Sequence, residues 1–415
     1  MMLRRIAIFL LVTLLCGVAT AQNDSILVIG KDTVAYRYTP IAQTKTISSK
    51  NRAGLQRFAR YIADVAVDNS FERKVDMTFV PALYYSPSTH VGLAVMAAGR
   101  YRFDKKNRNI PASTFSIYAT ASLTGFYRVG INGANIFRND RQRIIYNAEF
   151  FSQPTQFWGV GYDCVMDNSP MKYLASRTIV DVRLLQRIVN GLFVGVGADY
   201  NYHFGKFGGK KYASEDMFLA RLDGERVKYN ATGISLFVEF DSRDDVVNPQ
   251  RGVYLAAQAK VRPSGMNNIG QTLWGGRLSV NYYQKLWKGA VLALDLQGEL
   301  NSKGTPWVYN ATIGGVSAMR GYYAGQFNDL CAVTLQAELR QCIYKGFGAA
   351  AWGGAGNIFR TFGEFDWHKT LPTYGIGLRY ALKRHINIRL DYGFGGRDNR
   401  GNLIHGAVFS LNEAF

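Results

Sequence analysis

Val333–Arg340 reads VTLQAELR, a strict alternation of apolar and polar side chains over one short segment. Successive side chains of a β-strand point to opposite faces, so this segment has one apolar face and one polar, charged face. The same period of two recurs in residues 253–261, 292–301 and 386–394. Alternation of this kind, repeated from Lys74 to the last residue, predicts one antiparallel sheet with its two faces in different environments.

Counting outward from that segment gives sixteen predicted strands. They span residues 74–85, 88–103, 113–123, 126–138, 142–152, 172–187, 190–204, 229–241, 251–263, 270–286, 289–301, 330–342, 345–358, 372–382, 385–394 and 403–415. Several connections from an even strand to the next odd strand are very short, whereas four connections from an odd strand to the next even strand are long. The long connections are 153–171, 205–228, 302–329 and 359–371.

The first 21 residues have the pattern of a secretory signal peptide. Arg4 and Arg5 precede the apolar run Ile6–Cys16, and the small residues Ala19–Ala21 suit a cleavage site. The segment 22–73 follows as an N-terminal periplasmic segment, in which residues 49–69 show the apolar spacing of an amphipathic helix. That helix either packs against the main domain, or it lies at the membrane surface or acts as a plug.

A soluble sandwich would show the same alternation, with its apolar face turned inward. Export, strands of about ten residues or more, and the alternation of short and long connections together favour a transmembrane barrel. The fold expected is therefore all-β, a sixteen-stranded antiparallel transmembrane β-barrel over residues 74–415 preceded by a short helix. Its short turns would be periplasmic and its long loops extracellular, in a bacterial outer membrane.

The composition argues against several other classes of protein. The chain has 415 residues, a net charge of +19 and only five histidines, which are scattered singly. His203 and His405 could each face the lumen, but no serine or aspartate partner stands at a spacing that suggests catalysis. We therefore expect no enzyme, no metal site, no cofactor and no nucleic acid, and we assign the basic excess to contact with anionic lipid headgroups.

The long connection 302–329 contains the segment Gly314–Tyr323, GGVSAMRGYY, and Leu335–Arg340 (LQAELR) lies in the strand after it. Ala351–Phe359 and Tyr374–Tyr380 continue the pattern in the next two strands. Together these segments resemble the sixth loop and the final strands of the BamA/TamA family of outer-membrane assembly and translocation barrels. The resemblance is strong over residues 230–415.

The resemblance implies roles for particular residues. Arg320, Gly321 and Tyr322 would form the sixth-loop motif, which in the family folds back into the lumen. Glu338, on the lumen face by parity, would be the acidic partner of Arg320. The family has a second acidic residue in strand thirteen, and that position here is Gly354.

Phe415, aromatic and at the end of the last predicted strand, resembles the C-terminal assembly signal of outer-membrane barrels. Residues 22–73 are too short for a periplasmic POTRA domain, so the chain resembles the branch of the family that consists of a barrel alone.

The implied function is assistance to the insertion or translocation of polypeptides at the outer membrane. The expected partners are the lipid bilayer, substrate outer-membrane or secreted proteins, and other assembly components. The alternative is a passive channel or solute-transporting barrel.

Overall fold

The computed structural model describes most of the chain beyond residue 69. The described residues are 27–29, 32–34, 70–86, 90–104, 110, 112–137, 140–222, 227–245, 248–344, 346–383, 386–398, 400–411 and 413–415. The chain divides into two compact units, Met1–Asn69 and Ser70–Phe415. In the first unit, Leu27–Ile29 and Asp32–Val34 form a small antiparallel pair. The predicted signal peptide and the predicted helix of residues 49–69 lie outside the described residues.

The second unit is built on one sheet of sixteen strands, in agreement with the predicted count. These strands are β1 (Asp76–Ser86), β2 (His90–Tyr101), β3 (Ser113–Ser122), β4 (Tyr127–Phe137), β5 (Gln142–Phe157), β6 (Met171–Val189), β7 (Leu192–Lys206), β8 (Lys228–Asp241), β9 (Gly252–Arg262), β10 (Leu273–Lys285), β11 (Ala290–Asn301), β12 (Cys331–Tyr344), β13 (Phe347–Phe359), β14 (Leu371–Lys383), β15 (Ile386–Arg397) and β16 (Leu403–Leu411).

Each strand pairs antiparallel with its neighbours in the chain, and the sheet order runs without interruption from β1 to β16. Cα atoms of β1 and β16 approach within 8 Å of each other, so the two ends of the sheet come together. The chain therefore forms the predicted sixteen-stranded antiparallel barrel. The prediction misplaced two strand ends: β5 continues to Phe157 and not 152, and β16 stops at Leu411, so that Glu413–Phe415 are no longer part of the strand.

The apolar face of the sheet points outward. In β8, Ile234 and Leu236 are 48% and 63% exposed, whereas the intervening Ser235 and the following Glu239 are buried. A soluble sandwich would bury the apolar positions and expose the polar ones. An apolar outer surface is stable against lipid, and polar side chains are stable in the barrel interior, where they can pair. The alternation seen in the sequence thus reports a membrane-facing exterior and a polar lumen.

Long loops follow the odd strands β5, β7, β11 and β13, as the sequence predicted. The loop after β5 carries the short helix α1 (Tyr162–Asp167), and the loop after β7 carries α2 (Glu215–Ala220). The loop between β11 and β12 contains a 3-10 turn, Trp307–Tyr309, and two short strands, Ala311–Ile313 and Phe327–Asp329, that pair with each other. No helix in the described part of the chain is long and apolar enough to cross a membrane.

Candidate functional site

The loop between β11 and β12, residues 302–330, folds back into the barrel. Its two short strands, Ala311–Ile313 and Phe327–Asp329, form a hairpin whose tip carries Arg320. Met319 and Arg320 are fully buried, and the main-chain N–H of Met319 donates to Oε1 of Gln336 on β12. We call residues 302–330 the lumen loop. The hairpin brings the predicted sixth-loop motif against the inner wall formed by β12 to β15.

The tip of the lumen loop touches β15 backbone to backbone. Gly321 has a φ of 113°, and a Cβ on it would lie 2.9 Å from the carbonyl carbon of Phe394. A Cβ on the facing Gly393 would lie 2.6 Å from the carbonyl oxygen of Arg320. Both positions need glycine, one for its backbone conformation and both for lack of space. The glycine of the Arg-Gly-Tyr motif thus allows the loop to approach the wall closely enough for Arg320 to reach its partners.

Arg320 is held between two carboxylates and an indole ring. Its Nη2 lies 2.6 Å from Oε2 of Glu338 on β12, and its Nη1 donates to Oδ2 of Asp391 on β15 at 2.7 Å. The guanidinium carbon lies 3.7 Å from the ring centroid of Trp352 on β13, a cation–π contact. A planar guanidinium can serve two carboxylates and one aromatic face at once, which a lysine ammonium cannot.

Three further arginines surround the same two carboxylates. Nε of Arg340 donates to Oε1 of Glu338 at 2.7 Å, and Arg379 donates to Asp391 and also approaches Glu338. Nη1 of Arg389 lies 3.3 Å from Oδ2 of Asp391. All of these side chains are buried. We call the set Arg320, Glu338, Trp352, Arg340, Arg379, Arg389 and Asp391 the arginine cluster. It joins β12, β13, β14 and β15 to the lumen loop.

The structure brings Arg320 and Glu338 together, but the second acidic partner differs from the family pattern. Gly354, the position at which the family has its acidic residue, has no room for a side chain, because a Cβ there would lie 2.5 Å from the carbonyl oxygen of Leu335. Asp391 on β15 takes that place. Asp391 lies on the polar face of the alternating segment 386–394, but no motif in the sequence gives it a role.

Tyr322, the third residue of the motif, fixes the loop to β14 and β15 at a point where these two strands are not paired with each other. Its hydroxyl donates to the carbonyl oxygen of Pro372 at 2.8 Å and accepts from the N–H of Gly396 at 2.6 Å. Pro372 lies at the start of β14, before the ladder to β15 begins at Tyr374. Burial raises the pKa of Tyr322 to about 12, so the hydroxyl keeps its proton and its hydrogen bond.

The base of the lumen loop contacts the opposite wall through aromatic rings. Trp307 packs against Phe157, Tyr173, His203 and Phe218 with ring centroids 4.8 to 5.8 Å apart. The hydroxyl of Tyr309 donates to the carbonyl oxygen of Asn201 on β7. We call these rings, with Trp307 and Tyr309, the aromatic cap.

The two histidines singled out in the sequence lie on different faces. His203 is buried in the aromatic cap, as lumen-facing parity allows. His405 is exposed and hydrogen-bonds the hydroxyl of Tyr392, which is 41% exposed on the outward face of β15. The expectation that His405 could face the lumen was therefore wrong.

The comparisons with known proteins agree with this architecture. A model of the Omp85 superfamily domain matches residues 116–415. Among solved structures, BamA from Haemophilus ducreyi lacking POTRA domains 1-3 matches with a TM-score of 0.55 and 11% identity, over 88% of this chain and 78% of that chain. CdiB from Escherichia coli matches with a TM-score of 0.57 and 10% identity, over 86% and 70% of the two chains.

CdiB from Acinetobacter baumannii matches with a TM-score of 0.53 and 13% identity, over 82% of this chain and 60% of that chain. The chain thus spans about three fifths of that relative's length. Identities this low show a shared fold. No curated protein matches the sequence.

Proposed function

Because the chain belongs to the Omp85 superfamily and is an outer-membrane barrel, we propose that it assists the insertion or translocation of polypeptides at the outer membrane. The observation that carries the proposal is the lumen loop, whose Arg320 is clamped by Glu338 and Asp391 with no exposed surface. Its partners would be substrate polypeptides, the lipid bilayer and other assembly components. Nothing in this role requires catalysis or a cofactor.

The proposed site of action is the seam where β1 meets β16. A proline has no N–H to donate to a strand ladder, so prolines in sheets are confined to edges, where that side of the strand has no partner. The described strands contain three prolines. Pro154 lies where β5 extends past the end of β4, and Pro372 lies before the ladder of β14 to β15 begins. Pro81 lies near the middle of β1, which has a ladder to β2. By the same rule its missing N–H faces β16, which weakens pairing there.

A weak seam offers an incoming polypeptide a template. Backbone groups that lack partners in lipid cost several kcal/mol each, so an edge beside the bilayer favours pairing with another strand. An incoming segment that adds to β1 or β16 satisfies those groups by strand addition. Phe415 is proposed in addition as the signal by which this barrel itself is assembled.

A passive channel, the alternative left open by the sequence, fits the contacts less well. The aromatic cap and the arginine cluster tie the lumen loop to both sides of the wall, and buried apolar residues of α1, α2 and the loop pack in between. A conducting pore needs a continuous wet path past these contacts. We therefore expect little conductance from the intact protein, and steady conductance without removal of the loop would favour the channel.

The proposal is tested by site-specific photo-crosslinking in native outer membranes. A photoreactive residue at Val80 of β1 or Val408 of β16 should yield adducts with other polypeptides, whereas the same residue at the outward-facing Leu236 of β8 should not. Paired cysteines at Val80 and Val408 should lock the seam and abolish surface exposure of the substrates. Equal adducts at all three positions, or a locked protein that works normally, would contradict seam-mediated insertion.

A further inference from the structure

The segment Glu413–Phe415 lies inside the barrel and is bound by two arginines of the arginine cluster. Nε of Arg379 on β14 donates to Oε2 of Glu413 at 2.9 Å. Nη2 of Arg340 on β12 donates to the main-chain oxygen of Phe415 at 2.8 Å, and its guanidinium lies 5.4 Å from the Phe415 ring. Glu413 is 5% exposed in its side chain, and Ala414 is 7% exposed.

This position requires the chain to leave the wall of the barrel. β12 lies four strands away from β16, or about 19 Å along the wall at the usual strand spacing. The four residues after Leu411 span about 13 Å when fully extended, so Phe415 meets the Arg340 side chain across the lumen rather than along the sheet. We call residues 413–415 the C-terminal tail.

We propose that Arg340 and Arg379 are positioning residues that hold the C-terminal tail in the lumen and couple it to the lumen loop. The coupling has two routes. Arg320 and Arg340 share the carboxylate of Glu338, and Arg320 and Arg379 share that of Asp391. The two arginines thus contact the carboxylates that bind Arg320 of the lumen loop on one side and the tail on the other.

Holding the tail in this way would restrain the movement of β16 at the seam. This step rests on the proposed function, in which the seam opens. An outward shift of β16 at the seam would pull the tail away from Arg340 and Arg379, leaving two buried cations with fewer partners. Such a loss is costly in a low-dielectric interior. Displacement of the lumen loop would redistribute the same carboxylates and loosen the tail. The arginine cluster would therefore set how easily the last strand moves.

The test measures access to the tail in the purified, folded barrel, without any substrate. Cys164, Cys331 and Cys342 are free thiols and are first replaced by serine. Ala414→Cys then reports the tail, and Ala231→Cys, also buried but on β8, reports the opposite wall. In the parent protein, a maleimide should label both positions slowly.

Arg340→Gln with Arg379→Gln should raise the labelling rate at position 414 by about tenfold or more, as expected for loss of charged hydrogen bonds, and leave position 231 unchanged. Arg277→Gln is the control for the loss of an ion-paired arginine away from the tail, because Arg277, 60% exposed in its side chain, pairs with Glu299 at 2.9 Å on β10 and β11. Arg320→Gln should also accelerate labelling at position 414, by a smaller factor, if the loop and the tail are coupled.

Unchanged labelling at position 414, or equal acceleration at 414 and 231, would overturn the proposal. If the double arginine variant does not fold, Glu413→Gln decides, because it leaves Glu338 and Asp391 with their arginines and removes only the charge of the Glu413 side chain. Normal labelling in Glu413→Gln would also contradict the proposal. The two tests are independent. A negative labelling result would leave the proposed insertion at the seam standing, and a negative crosslinking result would leave the proposed coupling of tail and loop standing.

Discussion

The two ends of the lumen loop are attached to the barrel by different chemistry. At the tip, Arg320 has no exposed surface and is ion-paired to Glu338 and Asp391. At the base, Trp307 and Tyr309 lie among aromatic rings from the opposite wall. Ion pairs in a buried site are directional and depend on the balance of charge, whereas aromatic packing is distributed over many weak contacts. Single changes should therefore have sharp effects at the tip and graded ones at the base.

The largest effect should come from removing a shared carboxylate of the arginine cluster. Glu338→Ala leaves Arg320, Arg340 and Arg379 with Asp391 and Glu413 as the remaining acidic side chains. An uncompensated buried charge destabilises by about 3–5 kcal/mol. We expect folded Glu338→Ala barrel to lose its heat-modifiable migration on gels at a much lower temperature than the parent.

The matched comparison is Arg320→Ala, which removes a cation and leaves Glu338 paired with Arg340 and Arg379. It should be the milder of the two changes, and combining both should recover part of the loss seen in Glu338→Ala. If Arg320→Ala proves the more damaging single change, packing against Trp352 and not charge balance controls the tip.

A smaller effect should follow from Arg320→Lys, which keeps the charge and loses the planar fork. Lysine cannot contact Glu338 and Asp391 in two directions while it stacks on Trp352. We expect a loss of about 2–3 kcal/mol, comparable to losing hydrogen bonds to charged groups. Limited proteolysis of the lumen loop should be faster than in the parent and slower than in Glu338→Ala. Parent-like protease resistance would show that charge alone is enough.

The tip and the base also differ in what their sequence revealed. The sixteen strands could be predicted because a period of two is a local signal. A membrane barrel differs from a soluble sheet protein only in that its apolar face is the outer one, so the period itself is the same. Arg320 and Glu338 could be predicted from a motif and a parity rule. Asp391, Trp352, Arg340 and Arg379 could not be, because their meeting depends on the curvature of the wall and on how deeply the loop enters.

The aromatic cap was missed for a related reason. Trp307, Phe218 and Tyr173 come from three separate parts of the chain, and none of them carries a local pattern. The end of β16 was misplaced because the strand was extended to the terminal aromatic Phe415, although the alternation of apolar and polar residues stops after Asn412 and Glu413–Phe415 lie in the lumen. A pairing with Arg379, two strands away in the sheet order, has no local signature.

The hydroxyl groups of Tyr322 and Tyr309 allow the two ends to be compared by the same substitution. Tyr322→Phe removes a hydrogen bond to Pro372 and leaves the N–H of Gly396 without its acceptor, for a loss of about 2 kcal/mol. Tyr309→Phe removes one bond to Asn201 and keeps the ring, for a loss of about 1 kcal/mol. Hydrogen exchange of the loop hairpin should show the larger increase for Tyr322→Phe. Equal increases would mean that the two ends hold the loop equally.

The smallest effect concerns Asp329, a carboxylate of the same loop that lies outside the arginine cluster. Its Oδ1 accepts from the N–H of Leu330, and burial raises the pKa of its carboxyl group above the ordinary value. A raised pKa means that the folded loop holds this proton more tightly than the unfolded chain does. The stability contributed by Asp329 should therefore fall as the pH rises from about 4, the ordinary aspartate range, through its raised pKa.

Asp329→Asn, which cannot ionise, should remove this dependence. All other ionisable groups are the same in the two proteins, so the difference between variant and parent isolates Asp329. We expect hydrogen exchange of residues 311–313 and 327–329 to be faster in the parent than in the variant at pH 7, and the gap to close towards pH 4. A gap that stays constant with pH would show that the amide changes the loop by its hydrogen bonding and not by its lack of charge.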